Sequence, residues 1–305
     1  MKIAIASSSI LAIPTISALE KAGHSIVGLI TNPDKASGRG RSFAPNELAQ
    51  TFADRSVPIY KPASHLELQE VVKKLAPDIA ITIAYGRLIR PEVLALPKHG
   101  WLNLHFSLLP AYRGAAPVQR AILDGATETG ITIFRLDAGM DTGNIFLTKS
   151  YPIAPNETSG ELLSRLADEG AQAVAETLSL VQSGAVPKPQ SEVGASVAPK
   201  ISVEEARIDW SSGCARVDRL IRAMTPRPGA WTTLSGHRYL ISKGAISEEK
   251  HPPGSISKTG DRLLVGTGDG AMPAQSAPRG DVSVITARGE LARSAVQTGG
   301  CAARG

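Results

Sequence analysis

The sequence predicts an α/β fold: a doubly wound, Rossmann-like parallel sheet, followed by a small β-barrel of OB-like type. Three observations carry this. Short apolar runs alternate with helical patterns through the first half, as parallel strands wrapped by crossover helices do. Between residues 185 and 199 the composition shifts to Pro, Ser, Val and Gly and the period is lost. Beyond it, one amphipathic helix gives way to short strand-like runs separated by Gly and Pro. A chain of 305 residues can bury two cores, so the expected division is a site-bearing domain over 1–184, a linker over 185–203 and a barrel over 204–305.

Each element has its own signal. Residues 3–6 read as the opening strand, residues 10–22 as a helix stopped by Gly23, and residues 26–30 as the second strand, with loop over 31–44. Residues 78–85, a continuous run rich in Ile and Ala, read as a strand covered on both faces and therefore central. Residues 101–105 and 130–135 supply two more strands, with a helix over 117–123 between them. Thr158 followed by Glu161 is a capping box. It opens a helix with Leu162, Leu163, Leu166, Val174, Leu178 and Val181 on its apolar side, ended by Gly184. In the second domain Val217, Leu220, Ile221 and Met224 share one helix face, and Arg216, Arg219 and Arg222 lie toward the other. Those arginines fit either a solvated face or a basic strip facing nucleic acid. Residues 230–234 and 262–266 read as barrel strands.

Bulk properties exclude several classes. No run of about 18 apolar residues could span a bilayer. The opening apolar run is too short for a signal h-region, so a soluble, cytoplasmic protein is expected. Cys214 and Cys301 lie far apart without CxxC spacing, which argues against a disulfide framework or a zinc site and leaves Cys214 a structural reading. A net charge of +5 and a pI near 9.2 favour an anionic partner without naming one.

The chemistry concentrates in Asn103-Leu104-His105-Phe106-Ser107-Leu108-Leu109-Pro110 and the following Tyr112-Arg113-Gly114-Ala115-Ala116-Pro117. Asn103 and His105 are two apart, so on an extended chain both project from one face. Pro110, Gly114 and Pro117 then turn the chain and leave backbone groups free to meet a ligand. Ligands of open parallel sheets bind beyond the carboxyl ends of the strands. Asp137-Ala138-Gly139-Met140-Asp141-Thr142-Gly143 follows the next strand, so Asp141 is expected at the same edge, within reach of His105. An Asn, a His and an Asp converging there suit attack on a carbonyl carbon. The amide donates to the developing oxyanion, the imidazole stabilises charge or moves a proton, and the carboxylate orients the ring. Singly, each also has a structural reading: a satisfied histidine, a turn asparagine, an Asx turn at Asp141. Ser107 lacks the GxSxG elbow of a nucleophile, and His99 and His105 lack metal-ligand spacing. Gly38-Arg39-Gly40 lacks the remainder of a phosphate loop.

Taken jointly, the two motifs resemble the signature of folate-dependent formyltransferases. That resemblance implies catalysis by Asn103, His105 and Asp141, with Ser107, Leu108, Leu109 and Pro110 binding 10-formyltetrahydrofolate, the formyl donor, and no metal. Three further segments are similar to the branch of the family that acts on methionyl-tRNA. Asn32-Pro33-Asp34-Lys35-Ala36-Ser37-Gly38-Arg39-Gly40-Arg41 looks like its loop inserted toward the acceptor stem, and Lys35, Arg39 and Arg41 suit phosphate contact. Ser196-Val197-Ala198-Pro199-Lys200-Ile201 with Asp209-Trp210 resembles its entry into a second domain, and the stretch from Ile221 to Trp231 resembles it again. The overlap covers about residues 1–270 and favours the tRNA reading of Arg216, Arg219 and Arg222. It implies formyl transfer to the α-amine of methionyl initiator tRNA by a monomer.

Two departures stand out. Ser7-Ser8-Ser9 occupies a turn near the site where that family carries Gly-Thr-Pro. After about residue 270 the family's Gln-Pro-Gly-Lys-Lys turn and final strand and helix are missing, and residues 271–305 are rich in Ala, Gly, Ser and Arg. Two other activities fit the same motifs: formyl transfer to a small amine such as a sugar nucleotide or glycinamide ribotide, and tRNA binding by a catalytically weak relative.

Overall fold

The computed structural model describes residues 1–37, 42–243, 246–247, 249–259, 262–273 and 275–276. It divides into two units, one comprising Met1–Pro117, Glu128–Pro152 and Leu163–Pro199, the other Val118–Thr127, Ile153–Leu162 and Lys200–Gly305. Residues 185–199, read from composition as a crossing, pack within the first unit. Ile145 and Lys188 exchange backbone hydrogen bonds of 2.7 and 2.9 Å, and the Ala198 carbonyl accepts from the Ala116 amide at 3.1 Å. Such a segment carries no hydrophobic period because its ties are backbone ties.

The first unit is built on a seven-stranded sheet: β1 (Lys2–Ala6), β2 (Ser25–Ile30), β5 (Ile59–Tyr60), β6 (Ile79–Ile83), β7 (Trp101–His105), β8 (Glu128–Arg135) and β9 (Ile145–Pro152), in the order β5-β2-β1-β6-β7-β8-β9. A separate hairpin of β3 (Lys35–Ser37) and β4 (Ser42–Ala44) interrupts the segment read as loop. β6 is the middle strand and all five of its residues are buried, which is why its sequence is an unbroken apolar run. Helices α1 (Ile13–Lys21), α2 (Glu47–Thr51), α3 (His65–Leu75) and α4 (Pro91–Leu94) lie between these strands in the chain, followed by α5 (Pro117–Asp124) and α6 (Ser159–Gln182). Leu68 and Val72 of α3 and Val93 of α4 join Ala4, Ala6, Ile30, Ala80 and Trp101 in one buried cluster, where each large side chain contributes about 1.5–3 kcal/mol.

A purely parallel sheet is corrected at one edge: β8 pairs antiparallel with β7, and β9 antiparallel with β8. The link from β8 to β9 is residues 136–144 only, a connection that suits antiparallel neighbours and is too short for a crossover. The β9 strand has no sequence signal as clear as that of β6, because it is the edge and alternates between exposed and half-buried residues. The capping box forms as the sequence reading expects: the Thr158 amide donates to Glu161 Oε2 at 2.9 Å and the Glu161 amide to Thr158 Oγ1 at 3.3 Å. No helix among the described residues is long and apolar enough to cross a membrane.

In the second unit α7 (Cys214–Met224) buries Val217, Ile221 and Met224 against Ala230, Trp231, Ile241, Val265 and Met272. These come from two three-stranded antiparallel sheets, β10 (Ala230–Leu234), β11 (His237–Lys243) and β15 (Gln275–Ser276), and β12 (Ile256–Thr259), β13 (Arg262–Gly266) and β14 (Ala271–Pro273).

Candidate active site

The carboxyl end of β7 carries Asn103 and His105. Thr82, opposite Asn103 in the register with β6, places its hydroxyl 2.9 Å from Asn103 Oδ1 and 3.2 Å from the Leu102 carbonyl. One hydroxyl has one proton, and the shorter contact takes it. That bond fixes the amide so that Nδ2, which has no hydrogen-bond partner among the described residues, is the group left to donate.

His105 is 5 % exposed and its ring meets Phe134 edge-on with centroids 6.3 Å apart. Its Nε2 lies 2.9 Å from the Tyr112 carbonyl. A carbonyl only accepts, so Nε2 carries the hydrogen and Nδ1 is the unprotonated nitrogen of the neutral ring. Nδ1 faces Asp141 Oδ2 at 3.8 Å, beyond hydrogen-bond range, and so remains available to a substrate. Burial pushes the His105 pKa below its ordinary 6.5, while the Asp141 charge and the Tyr112 carbonyl pull it back up.

Asp141 does not reach His105 by leaving the same sheet edge. Because β8 is antiparallel to β7, its last residue, Arg135, stands opposite Leu102, and His105 stands opposite Thr132. Residues 136–144 instead double back. Asp141 adopts a left-handed φ of 54°, and its Oδ2 accepts from the Gly114 amide at 2.8 Å. Gly114 has φ 128°, and a Cβ there would sit 2.7 Å from the Ala198 carbonyl, so glycine is required at the turn between His105 and the segment packed on it.

Gln190, which carries no signal in the sequence, ties these parts together. Its Nε2 donates to the carbonyls of Asp141 and Gly143, both at 2.8 Å, and its Oε1 accepts from Arg113 Nε at 3.1 Å and Nη2 at 2.8 Å. Every hydrogen-bonding site of the amide is used.

The four residues expected to hold the folate form a tight turn. Ser107 is buried with its hydroxyl donating to the Ala111 carbonyl at 2.6 Å, and Thr132 bridges the Ser107 carbonyl and the Leu109 amide at 2.7 and 3.1 Å. Leu109 is buried, whereas Leu108 and Pro110 are half-buried. What this turn can offer a ligand is backbone and apolar surface, because the Ser107 hydroxyl is engaged internally. The Ser7-Ser8-Ser9 departure is accommodated: Ser9 has an ordinary φ of −127° and caps the next turn through the Leu11 amide at 3.3 Å, and the Ser8 hydroxyl accepts from the Asn32 amide at 3.1 Å.

Of the residues expected at tRNA, Lys35 is on β3, and Arg39 and Arg41 lie outside the described residues. The three arginines of α7 do not form one exposed strip. Arg216 is exposed, Arg219 lies over Gly125, and Arg222 is ion-paired with Asp218 at 2.7 Å and donates to the Glu157 carbonyl at 3.3 Å. A basic feature absent from the sequence reading is the buried Trp231, over whose ring stand Arg238 at 3.8 Å and Arg207 at 5.7 Å from the centroid.

Known proteins resemble the chain over most of its length. A family model described as Formyl transferase matches residues 1–178, and one described as Formyl transferase, C-terminal domain, matches residues 200–288, past the point near residue 270 where the motifs end. Methionyl-tRNA formyltransferase of Acidothermus cellulolyticus is 40% identical over 92% of this chain and 97% of its own length, and that of Thermobifida fusca is 41% identical over 92% and 96%. HypX from Aquifex aeolicus, solved in complex with tetrahydrofolic acid, has a TM-score of 0.68 at 21% identity over 90% of this chain, which spans 43% of that longer one and shares its fold. With both family domains matched and relatives of this identity covering nearly its whole length, the chain belongs to the methionyl-tRNA formyltransferase family.

Proposed function

We propose that the protein transfers the formyl group of 10-formyltetrahydrofolate to the α-amine of methionyl initiator tRNA, acting as a monomer in the cytoplasm. The observation that carries this reading is the convergence of a free carboxamide donor and a His105–Asp141 pair at one strand end. It occurs in a chain about two-fifths identical to named methionyl-tRNA formyltransferases. A folate-type donor agrees with the tetrahydrofolic acid bound by the structural neighbour.

The residues fit such a donor, which supplies a formyl carbon bonded to a folate nitrogen. Asn103 Nδ2 holds the formyl oxygen and the charge it gains as the neutral amine attacks. His105 takes the amine's proton on Nδ1 while Nε2–H stays on the Tyr112 carbonyl. The Tyr112 carbonyl holds the ring, and Asp141 stabilises the imidazolium by its charge; the imidazolium then returns its proton to the departing folate nitrogen. Burial keeps the resting ring neutral near pH 7 and therefore able to act. Ser107, Leu108, Leu109 and Pro110 seat the folate through backbone and apolar contact. We assign phosphate contacts to Lys35, Arg39, Arg41 and Arg216, and to Arg207 and Arg238 on Trp231. Arg219 and Arg222 act mainly by holding α7 in place.

An acceptor comparison tests the reading. The full chain, given 10-formyltetrahydrofolate, is expected to formylate methionyl initiator tRNA in strong preference to an amino-sugar nucleotide or glycinamide ribotide. Transfer to either small amine but not to the tRNA would overturn it.

A further inference from the structure

The loop that carries Asp141 is anchored unevenly. Within it, Asp137 Oδ1 accepts from the Gly139 amide at 3.0 Å and the Thr142 hydroxyl at 2.8 Å, and the Asn144 carbonyl accepts from the Arg135 amide at 2.8 Å. Asp141 itself sits at a φ that L-residues rarely adopt, and among the described residues neither its carbonyl nor that of Gly143 is taken by another group of the loop. Both the Asp141 and the Gly143 carbonyls are instead taken by one group, Gln190 Nε2. An amide nitrogen has two protons, and each goes to one carbonyl. The other end of the same amide is gripped by the Arg113 guanidinium, from the turn that also supplies the Gly114 amide to Asp141 Oδ2. Arg113 is itself held by the segment bearing Gln190: its amide donates to the Ser196 carbonyl at 2.9 Å, and its carbonyl accepts from the Ala198 amide at 2.7 Å.

We infer that Gln190 is a positioning residue for catalysis, clamping the backbone of Asp141 and Gly143 so that the Asp141 carboxylate stays on the Gly114 amide and over His105 Nδ1. This rests on the assignment of Asp141 above and extends it to a residue that touches no substrate. Side-chain length alone would not suffice, because only a group with two donors at one end and an acceptor at the other satisfies both carbonyls and Arg113. Glutamate at this position keeps the shape and the pairing with Arg113, but it has nothing to donate to either carbonyl.

Gln190→Glu and Gln190→Met, alone and combined with Asp141→Asn, test this in the full chain with 10-formyltetrahydrofolate and methionyl initiator tRNA. Both single variants are expected to lose about 10-fold or more in kcat, with KM for each substrate changed by less than about twofold. Gln190→Glu retains the Arg113 pairing but turns an acceptor oxygen toward two carbonyls, so its thermal midpoint should fall, and the reading therefore rests on the split between kcat and KM and on its dependence on Asp141. On the Asp141→Asn background the further loss from Gln190→Glu should shrink below about twofold, since two groups acting through one carboxylate are not additive. A Gln190→Glu variant with parental kcat overturns the inference, and so does a loss as large on the Asp141→Asn background as without it. If Asp141→Asn itself keeps the parental rate, the assignment of Asp141 fails and the inference fails with it.

Discussion

Replacing Asn103 tests the oxyanion assignment with the least disturbance to the fold. Asn103→Ala removes Nδ2, the donor we assign to the formyl oxygen, and loss of one such donor costs about 100- to 1,000-fold in kcat, or about 2.7–4 kcal/mol in the barrier. The structural cost is much smaller. Among the described residues the Thr82 bond to Oδ1 is the one lost, and the freed hydroxyl proton turns to the Leu102 carbonyl, already 3.2 Å away. A single neutral hydrogen bond of this kind is worth about 0.5–1.5 kcal/mol of stability. Asn103→Asp sharpens the contrast. It still accepts from Thr82, but it presents a negative oxygen where negative charge develops, so it should fall at least as far as alanine. The assay is the initial rate of N-formylmethionyl-tRNA formation at saturating 10-formyltetrahydrofolate, paired with a thermal melt of each variant. If either variant folds and turns over within roughly threefold of the parent, Asn103 is not the oxyanion donor.

Other consequences follow from the same geometry. The His105 pKa is lowered from 6.5, so its base form and the rate should be lost only as pH falls to values below that. A ring held neutral in the fold but free to protonate when unfolded stabilises the protein above about 6.5 and loses that contribution as pH drops through the lowered value. Asp141→Asn removes a contribution that raises the pKa, so the titration should move lower still; an imidazole NMR titration showing an upward move would contradict the assignment. Gly114→Ala places a Cβ 2.7 Å from the Ala198 carbonyl at φ 128°. It should cost at least about 1–3 kcal/mol in a denaturant melt, and an unchanged midpoint would show that the turn can relax. In the second unit, Arg222→Ala should lower the melting temperature by breaking the 2.7 Å pair with Asp218. Arg216→Ala should instead leave it in place and Arg238→Gln lower it slightly by losing the contact with Trp231, while both raise KM for tRNA and reduce the salt dependence of KM by about one phosphate's worth each.

The elements legible in the sequence are those set by local chemistry. The β6 run, the Thr158–Glu161 box and the apolar face of α7 each follow from side chains a few residues apart. Asn103 and His105 could be paired because a strand's alternation is local as well. The direction of β8 could not be read, since Gly130–Arg135 has the same apolar pattern whichever way it runs beside β7. Strand order alone therefore points Asp141 toward His105 for a reason that the antiparallel edge corrects, and what brings it there is a loop conformation with φ 54°. Gln190 was illegible for a related reason: its work is done on backbone carbonyls 47 and 49 residues away, and backbone carbonyls carry no sequence. The α7 arginines show the limit of helical patterning, which separates an apolar face from a polar one but does not show that Arg222 is occupied by Asp218 while Arg216 is exposed.

The most direct test of the account is a single-turnover experiment on the full chain, with excess enzyme, formyl-labelled 10-formyltetrahydrofolate and methionyl initiator tRNA. The acceptor is hydrolysed afterwards and the labelled atom located by mass spectrometry. Formyl transfer to the amine places label on the α-nitrogen of methionine, rapidly with the parent and about 100- to 1,000-fold more slowly with Asn103→Ala. A folded parent enzyme that leaves the methionine unlabelled, or an Asn103→Ala variant that labels it at the parental rate, would contradict it.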